Sequence, residues 1–331
     1  MNRAFYKGKM VLVTGGTGFV GMHIVEELLK QGADRIRIPI HNRPLIIQDE
    51  RIETVQADLT KENDCLKVLE RVDCVFHAAG SVGSAGITPL HAMSSITMNI
   101  VITVMMLQAA WNMGTERFLL FSSSTAYPDA HYPIKEEDMW SGPTYPAYFG
   151  YGWMRRYLER LGEFVASKSG VKVAIIRPSA VYGRHDNFDP ETSHVVPALI
   201  RRAVQRENPF IVWGTGGEVR DFLHVSDLAR ACLLMIEKYP VCDPVNIGCG
   251  RGITIKELVQ AILKAAGHKH AEVVFDSSRP SAIPFRVLDT TKAKNALGFE
   301  SMVSLERGLL DTVGWYKKMA AKNKDCRTGS A

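Results

Sequence analysis

Cysteine is scarce in this sequence, which has six cysteines among 331 residues. They stand at positions 65, 74, 232, 242, 249 and 326, without the paired spacing of a zinc site. Their density is also far below that of a secreted disulfide scaffold. We therefore expect free thiols in a reducing compartment and no bound metal.

Long hydrophobic runs and an excess of one charge are also missing. The most apolar stretch, residues 100–110, is too short to span a bilayer and predicts a buried helix. The net charge of +5 is small and spread along the chain, which gives no case for a nucleic-acid partner. The polar residues before Met10 do not predict a signal peptide. The expected location is cytoplasmic, without a membrane partner.

Glycine, in contrast, is concentrated between residues 14 and 21. A short apolar strand is predicted at residues 10–13, and an amphipathic helix follows the glycines. In this context Gly15 permits a sharp turn, Gly18 lets the backbone approach a pyrophosphate, and Gly21 lets the helix pack on the sheet. An ordinary tight turn is the alternative, but the flanking strand and helix favour a dinucleotide site. The predicted cofactor contacts here are Gly15, Thr17, Gly18, Phe19, Val20 and Gly21.

The end of the second predicted strand, residues 36–40, bears on the choice of dinucleotide. Asn42 and Arg43 follow it, where an NAD-binding domain usually places an acidic residue. Because a guanidinium matches phosphate geometry, Arg43 favours NADP(H) through the 2′-phosphate. A solvated loop arginine is the alternative, and NAD(H) stays open.

Two further predicted strands end in residues that suit a cofactor. The third strand, residues 55–59, ends at Asp58 and Leu59, where the carboxylate could accept a hydrogen bond from the adenine amino group. The fourth strand ends at small residues that leave room for a bound dinucleotide, and these are Ala78, Ala79 and Gly80.

Hydroxyl side chains follow the fifth predicted strand, residues 118–121. Ser122 to Thr125 would lie at the carboxyl edge of a parallel sheet, where ligands bind. Serines there can also be turn formers, so a catalytic function needs a partner. A predicted helix near residues 148–165 offers one in Tyr151, and a sixth strand follows it, ending at Pro178.

The order of these elements predicts an α/β fold, a Rossmann-type doubly wound parallel sheet with a smaller C-terminal α/β substrate domain. Residues 245–248 read as another strand of the same sheet, so the two domains should interleave. The expected division is residues 1–180 with 221–250 for the dinucleotide-binding domain, 181–220 with 251–320 for the substrate domain, and 321–331 for a frayed tail.

Several motifs together resemble the extended short-chain dehydrogenase/reductase family, the NAD(P)-dependent epimerases, dehydratases and reductases of nucleotide sugars. In chain order they are TGGTGFVG, Asp58-Leu59, HAAG, the stretch from Ser122 to Tyr127, RPSAVYG, WGTGGEVRDF and NIGCGRGITIKEL. Within the family, GRHDNFDPETSHVVPALIRR followed by VWGTGGEVRDFLHVSDLA is similar to the GDP-L-fucose synthases. Those enzymes epimerise C3 and C5 of GDP-4-keto-6-deoxymannose and then reduce C4 with NADPH.

The resemblance implies roles for individual residues. Ser123 takes the place of the serine that binds the C4 oxygen of the substrate, and Tyr151 that of the tyrosine that passes a proton to it. His194 matches the acid of the epimerisation. The residues implied to bind the nucleotide sugar are Ser123, Ser124, His194, Arg202, Trp213, Arg220 and Arg279. A GDP-linked substrate is implied by the closer match, and a homodimer formed through helices near residues 94–113 and 148–168 by the family.

Two departures from the family pattern limit the implied activity. Arg155 stands where the family has the lysine that binds the nicotinamide ribose, so the positive charge is kept but not a proton relay. Thr125 stands where fucose synthases have the cysteine that acts as the base in epimerisation, and a hydroxyl is far too weak an acid to replace it.

The predicted function is therefore an NADPH-dependent C4 reductase of a 4-keto nucleotide sugar, with epimerase activity weak, absent or confined to one carbon. Ser123, Tyr151 and Arg155 would carry the reduction. One alternative is an epimerase that keeps its NAD(P) tightly bound and shows no net redox change. A second is a non-catalytic protein that binds cofactor and nucleotide sugar.

Overall fold

The computed structural model describes residues 4–81, 89–279 and 283–328. Within these ranges the strands are β1 (Met10–Thr14), β2 (Arg35–Ile40), β3 (Ile52–Gln56), β4 (Cys74–His77), β5 (Arg117–Phe121), β6 (Lys172–Pro178), β7 (Ala180–Tyr182), β8 (Phe210–Trp213), β9 (Val219–Arg220), β10 (Phe222–His224), β11 (Val245–Ile247), β12 (Ile253–Thr254), β13 (Val273–Asp276) and β14 (Phe285–Arg286). The α-helices are α1 (Phe19–Lys30), α2 (Glu62–Val68), α3 (Pro89–Asn112), α4 (Phe149–Lys168), α5 (Val195–Val204), α6 (Val225–Lys238), α7 (Ile255–Ala266), α8 (Thr291–Leu297) and α9 (Leu305–Thr328).

Seven parallel strands form the main sheet, in the order β11, β6, β5, β4, β1, β2, β3. The strand order reverses direction between β1 and β4, and ligands bind at such a switch point, beyond the carboxyl ends of the strands. The predicted doubly wound Rossmann-type sheet is therefore confirmed. The central strands β1 and β4 are buried along their whole length and largely apolar, because helices cover both faces.

Each face of the sheet has its own apolar core. On one face α1 and α6 pack through residues such as Ile24, Leu28 and Leu233. On the other face α2, α3 and α4 pack through residues such as Met106 and Val165. Residues 245–247 pair with β6, so the chain returns to this sheet after passing through β7 to β10.

The remaining elements build a smaller layer beside the sheet. Here α5, α7 and α9 share a third core that includes Leu199, Leu258 and Leu309. Three small sheets accompany them, with strand pairs β10 with β7 and β13 with β8, and the triplet β12, β9, β14. Strand β9 leads directly into β10, which carries the chain back to α6 and the main sheet.

Three sequence predictions need correction. The third strand covers Ile52–Gln56 rather than 55–59, because Asp58 and Thr60 form a turn in which the Asp58 carboxylate accepts hydrogen bonds from the Thr60 backbone and hydroxyl. The tail is not frayed where it is described, since α9 continues through Thr328. Residues 315–328 contain no glycine or proline to end the helix.

The apolar helix is longer than predicted. Within the described chain, the α3 stretch Ala92–Asn112 is apolar and long enough to cross a membrane by those two measures alone, with a mean hydropathy of 1.5. About two fifths of it is buried inside the protein, because α3 packs between α2 and α4, and core helices of many folds would pass the same test (39% buried). The prediction that this stretch is too short to span a bilayer was wrong.

Candidate functional site

The glycine turn after β1 leaves no space for side chains. Gly15 adopts a left-handed backbone with φ of +67°, and a Cβ added there would lie 2.7 Å from the Ala78 carbonyl oxygen. A Cβ on Gly21 would lie 2.1 Å from the carbonyl oxygen of Gly15. Backbone therefore packs on backbone, and only glycine fits.

The same turn places the N-terminus of α1 at the carboxyl edge of the sheet. Gly18 is the N-cap and supplies no side chain to bond the first amides of the helix. Such an N-terminus, with its unbonded N–H groups and positive dipole, suits a diphosphate. Thr17, Phe19 and Val20 are half-buried around it. The residues present thus fit the predicted dinucleotide.

A buried polar chain supports the turn from behind. The Thr14 hydroxyl accepts a hydrogen bond from the Ala79 amide at 3.1 Å and lies 3.0 Å from His77 Nδ1. His77 Nε2 lies 3.2 Å from the Thr103 hydroxyl on α3. Burial lowers the pKa of His77 to about 3, so its imidazole is neutral at physiological pH. This chain fixes the small-residue stretch 78–80 beside the glycines.

The other predicted cofactor contacts are placed at the same edge of the sheet. Asn42 and Arg43 follow β2 and are exposed. Asp58 and Leu59 follow β3, and the Asp58 carboxylate already accepts two hydrogen bonds from Thr60. Pro178 ends β6. None of these positions conflicts with a bound dinucleotide.

The turn after β5 determines which hydrogen bonds the Ser123 hydroxyl accepts. Ser123 Oγ accepts hydrogen bonds from the Thr125 amide at 3.1 Å and from the Thr125 hydroxyl at 3.0 Å. Because a hydroxyl has one proton and two acceptor lone pairs, the Ser123 proton stays available for another acceptor. Ser124 and Thr125 begin a short 3₁₀ turn here, and both are half-buried.

Helix α4 docks onto this turn through three contacts. Arg155 Nη1 donates to the Phe121 carbonyl at 2.9 Å, and Arg156 Nε donates to the Ala126 carbonyl at 2.8 Å. Between them, a Cβ on Gly152 would lie 2.7 Å from the Thr125 carbonyl oxygen. These contacts hold the start of α4, which carries Tyr151, against the turn that carries Ser123.

The hydroxyl of Tyr151 has two partners in the structure. It donates to the Ser81 carbonyl and accepts a hydrogen bond from Asn99 Nδ2 at 3.2 Å. Asn99 also donates to the Ser95 carbonyl and is 2% exposed. Asn99 is therefore a buried polar residue of α3 that lies beside the candidate catalytic tyrosine.

Arg155 is half-buried, and the Nε of its guanidinium is a buried atom without a partner among the described residues. The Arg155 Cζ lies 5.6 Å from the centre of the Tyr151 ring. Desolvation lowers the pKa of Arg155, although it remains a cation. An unpartnered buried donor at this point fits a ribose hydroxyl, the group that the family lysine binds.

The predicted substrate residues are spread over the second half of the chain. His194 is the exposed N-cap residue of α5. Trp213 is 57% exposed, and the Arg279 guanidinium lies 5.5 Å from its ring centre. Arg202 is bonded to Glu207 and stacks on Phe210, so its side chain already has a structural partner.

Sequence reasoning missed Arg286, which neighbours the predicted Arg220. The two residues are register partners on β14 and β9, and Arg286 donates hydrogen bonds to the carbonyls of Pro128 and Tyr127. No motif marked this position; a lone arginine in a short strand gives no signal until the strand pairing is known.

The chain as a whole is similar to known proteins. A sequence model of the NAD dependent epimerase/dehydratase family matches residues 11–248. A probable GDP-L-fucose synthase 1 from Oryza sativa subsp. japonica is 33% identical over 318 residues, covering 94% of this chain and 92% of that protein. A dTDP-4-dehydro-6-deoxy-D-allose reductase from Streptomyces bikiniensis is 29% identical and covers 94% and 97% of the two chains.

Solved structures agree with this assignment. A UDP-glucose 4-epimerase with UDP-glucose from Thermotoga maritima has a TM-score of 0.83 at 28% identity, covering 94% of this chain and 99% of that one. Fold, glycine turn and nearly full-length relatives therefore converge on one conclusion. The chain belongs to the NAD dependent epimerase/dehydratase family, the extended short-chain dehydrogenases/reductases, and is a nicotinamide-dependent enzyme of nucleotide sugars.

Proposed function

We propose that the protein is an NADPH-dependent C4 reductase of a 4-keto nucleotide sugar, without double epimerisation. The observation that carries this proposal is the pair of hydrogen bonds from Thr125 to Ser123 Oγ. They commit the Thr125 hydroxyl to a neighbour, and they leave the Ser123 proton for a substrate oxygen. The residue that would have to act as the epimerisation base instead serves the residue that binds the ketone.

Reduction needs a hydride at C4 and a proton at the C4 oxygen. A bound nicotinamide would supply the hydride. Ser123 would donate a hydrogen bond to the oxygen as negative charge develops on it, and Tyr151 would transfer its hydroxyl proton to the same oxygen. The phenolate left on Tyr151 would be stabilised by the Asn99 amide donor and by the nearby Arg155 cation. Solvent would then return the proton.

Epimerisation at C3 or C5 needs a base that removes a proton from carbon. In the GDP-L-fucose synthase pattern that this sequence resembles, a cysteine base stands at the position of Thr125. A threonine hydroxyl does not ionise at neutral pH, so it cannot replace a thiolate. His194, exposed at the start of α5, could move at most one proton from one side. The proposal therefore assigns His194 to substrate binding.

A few side chains and the named relatives support a choice of cofactor and of nucleotide. Arg43 is exposed at the end of β2, where a 2′-phosphate would lie, and it supports NADP(H) over NAD(H). The relatives named GDP-L-fucose synthases support a GDP-linked sugar. Trp213 with Arg279 offers a flat cationic platform for a base, and Arg220 an anchor for the diphosphate.

A turnover assay tests this proposal. Purified protein is mixed with GDP-4-keto-6-deoxymannose and either NADPH or NADH, and cofactor oxidation is followed by absorbance with the product identified by mass. We expect stoichiometric NADPH oxidation and a product two mass units heavier than the substrate. The dTDP- and UDP-linked 4-keto sugars serve as comparison substrates and should turn over more slowly.

Two outcomes would replace the proposal. Interconversion of nucleotide sugars without net cofactor oxidation, by protein that retains its cofactor through purification, would establish the epimerase instead. Binding of cofactor and GDP without turnover of any 4-keto sugar would indicate a binding protein.

We also infer that the protein forms a homodimer through α3 and α4. The exposed faces of these helices carry large apolar side chains. Trp111 on α3 and Phe164 on α4 lie side by side, with 6.1 Å between their ring centres. Exposed apolar patches of this kind mark interaction surfaces. Light scattering should show a dimer that Tyr157→Glu with Phe164→Glu dissociates, while Ile46→Glu, at an exposed apolar residue elsewhere, leaves it intact.

A further inference from the structure

Two arginines lie side by side at the junction of β9 and β14. Arg220 and Arg286 are register partners in this parallel pair. Arg286 is 6% exposed and Arg220 is half-buried. Two like charges on neighbouring strands repel each other, and exclusion of water strengthens the repulsion. A pair of this kind is stable only with a compensating partner.

Among the described residues, the hydrogen-bond partners of Arg286 are neutral carbonyls. Its Nη1 donates to the Pro128 carbonyl at 3.0 Å and its Nη2 to the Tyr127 carbonyl at 3.4 Å. Its buried Nε has no partner among the described residues. Arg220 donates to the Val219 carbonyl. Neutral carbonyls compensate the desolvation of a cation only in part.

The nearby acidic groups do not neutralise the pair by direct contact. Glu218 accepts hydrogen bonds from the Thr215 and Gly216 amides, and Asp129 interacts with Arg286 only at longer range. The Tyr148 phenol interacts electrostatically with both arginines. Burial lowers the pKa of Arg286 to about 10 and lowers that of Arg220 as well. A bound anion would reverse that effect by favouring both charged forms.

We propose that Arg286 is the second cation of a diphosphate subsite beside Arg220. When the anion binds, Arg286 also positions the turn after β5 that carries Ser123, here called the catalytic turn. The identity of the anion as the diphosphate of a nucleotide sugar rests on the proposed function. In this arrangement the Arg286 Nε would face a phosphate, while its other nitrogens donate to the carbonyls of Tyr127 and Pro128. The side chain would then connect the charge of the ligand to the backbone that follows Ser123.

The segment around Arg286 is joined to the same loop by further bonds. The Ile134 amide donates to the Val287 carbonyl at 2.9 Å, and the Asp289 amide donates to the Ile134 carbonyl at 2.8 Å. Leu288 packs with Tyr127 and Ile134 in a small buried core. Movement of β14 toward an anion would therefore move the loop that begins at the catalytic turn.

Calorimetric titration of the full chain with inorganic pyrophosphate tests the subsite. Arg286→Gln should weaken pyrophosphate binding by about tenfold or more, the effect of one charge-assisted hydrogen bond. Arg307→Gln, a matched change at an exposed arginine on α9, should leave the affinity unchanged. Wild-type affinity in Arg286→Gln, or no pyrophosphate binding by the wild type, would overturn the subsite.

Arg286→Lys tests the positioning role and guards against a variant that does not fold. Lysine keeps the charge but not the fork, so pyrophosphate should bind within about threefold of wild type while kcat falls about tenfold. An unchanged kcat in this variant would contradict the link to the catalytic turn. Pyrophosphate carries no sugar, so a wild type that binds it yet reduces no 4-keto sugar would overturn the proposed function and leave the subsite standing.

Discussion

The cofactor end and the substrate end of the cleft are built from different interactions. At the cofactor end, glycines let backbone pack on backbone, and the supporting His77 is neutral. At the substrate end, the Arg286 cation is buried, and its Nε has no hydrogen-bond partner among the described residues. The first end has its shape without a ligand. In the proposed diphosphate subsite, a bound anion would compensate the charge of the second end.

Tyr151 offers the strongest test of how separate the two ends are. Tyr151→Phe removes the proton source but keeps the ring beside Arg155, so kcat should fall by about 10²–10⁴-fold, the usual contribution of proton transfer. The Kd for NADPH should stay within about twofold because the glycine turn is untouched. Steady-state kinetics and fluorescence titration measure both quantities. A kcat near wild type would remove Tyr151 from the mechanism.

Gly21→Ala should break the cofactor end alone. The added Cβ would meet the Gly15 carbonyl at 2.1 Å, and the strain of about 1–3 kcal/mol should raise the NADPH Kd about tenfold to hundredfold. Pyrophosphate binding at the substrate end should persist. Gly314→Ala is the control, because no atom lies within 4 Å of the added Cβ and alanine favours the α9 helix. Equal effects of both variants would show that the turn is not tightly packed.

The hydrogen bond from Thr125 to Ser123 should have a smaller effect, confined to the substrate end. Thr125→Val keeps the shape but removes the donor to Ser123 Oγ, so kcat should fall about threefold to tenfold, the worth of one hydrogen bond. Thr125→Ser should restore the rate, and the NADPH Kd should not change in either variant. Valine with full activity would mean that the backbone amide of residue 125 alone sets the state of Ser123.

His77 should have the smallest effect on activity, because its protonation changes the stability of the fold instead. Its pKa is about 3 in the folded protein against an ordinary value of 6.5, so the unfolded chain binds a proton there first as pH falls. The free energy of unfolding should therefore decrease between pH 6.5 and 3 by up to about 1.4 kcal/mol per pH unit. Denaturant titrations at several pH values should show a shallower decrease for His77→Asn and an unchanged one for the exposed His270→Asn.

The sequence predicted the parts of the molecule that follow from local patterns. The glycine spacing, the apolar strands and the return of residues 245–247 to the sheet are each visible within a short window. The third strand lies earlier in the chain than predicted, because a turn at Asp58 follows where the strand was expected to continue. Arg286 could not be found, since its role depends on pairing with Arg220, which is distant in sequence. Asn99 was visible as a polar residue in an apolar helix, but its contact with Tyr151 could not be predicted for the same reason.

In the proposed function, Thr125 makes this protein a reductase without the epimerisation steps. Turnover of GDP-4-keto-6-deoxymannose with NADPH in deuterated water tests it directly, with the product analysed for deuterium at C3 and C5. We predict full NADPH consumption with no deuterium at either carbon in the wild type, and deuterium uptake on introducing the thiol in Thr125→Cys. Deuterium at C3 or C5 in the wild-type product would contradict the claim and show that another group acts as the base.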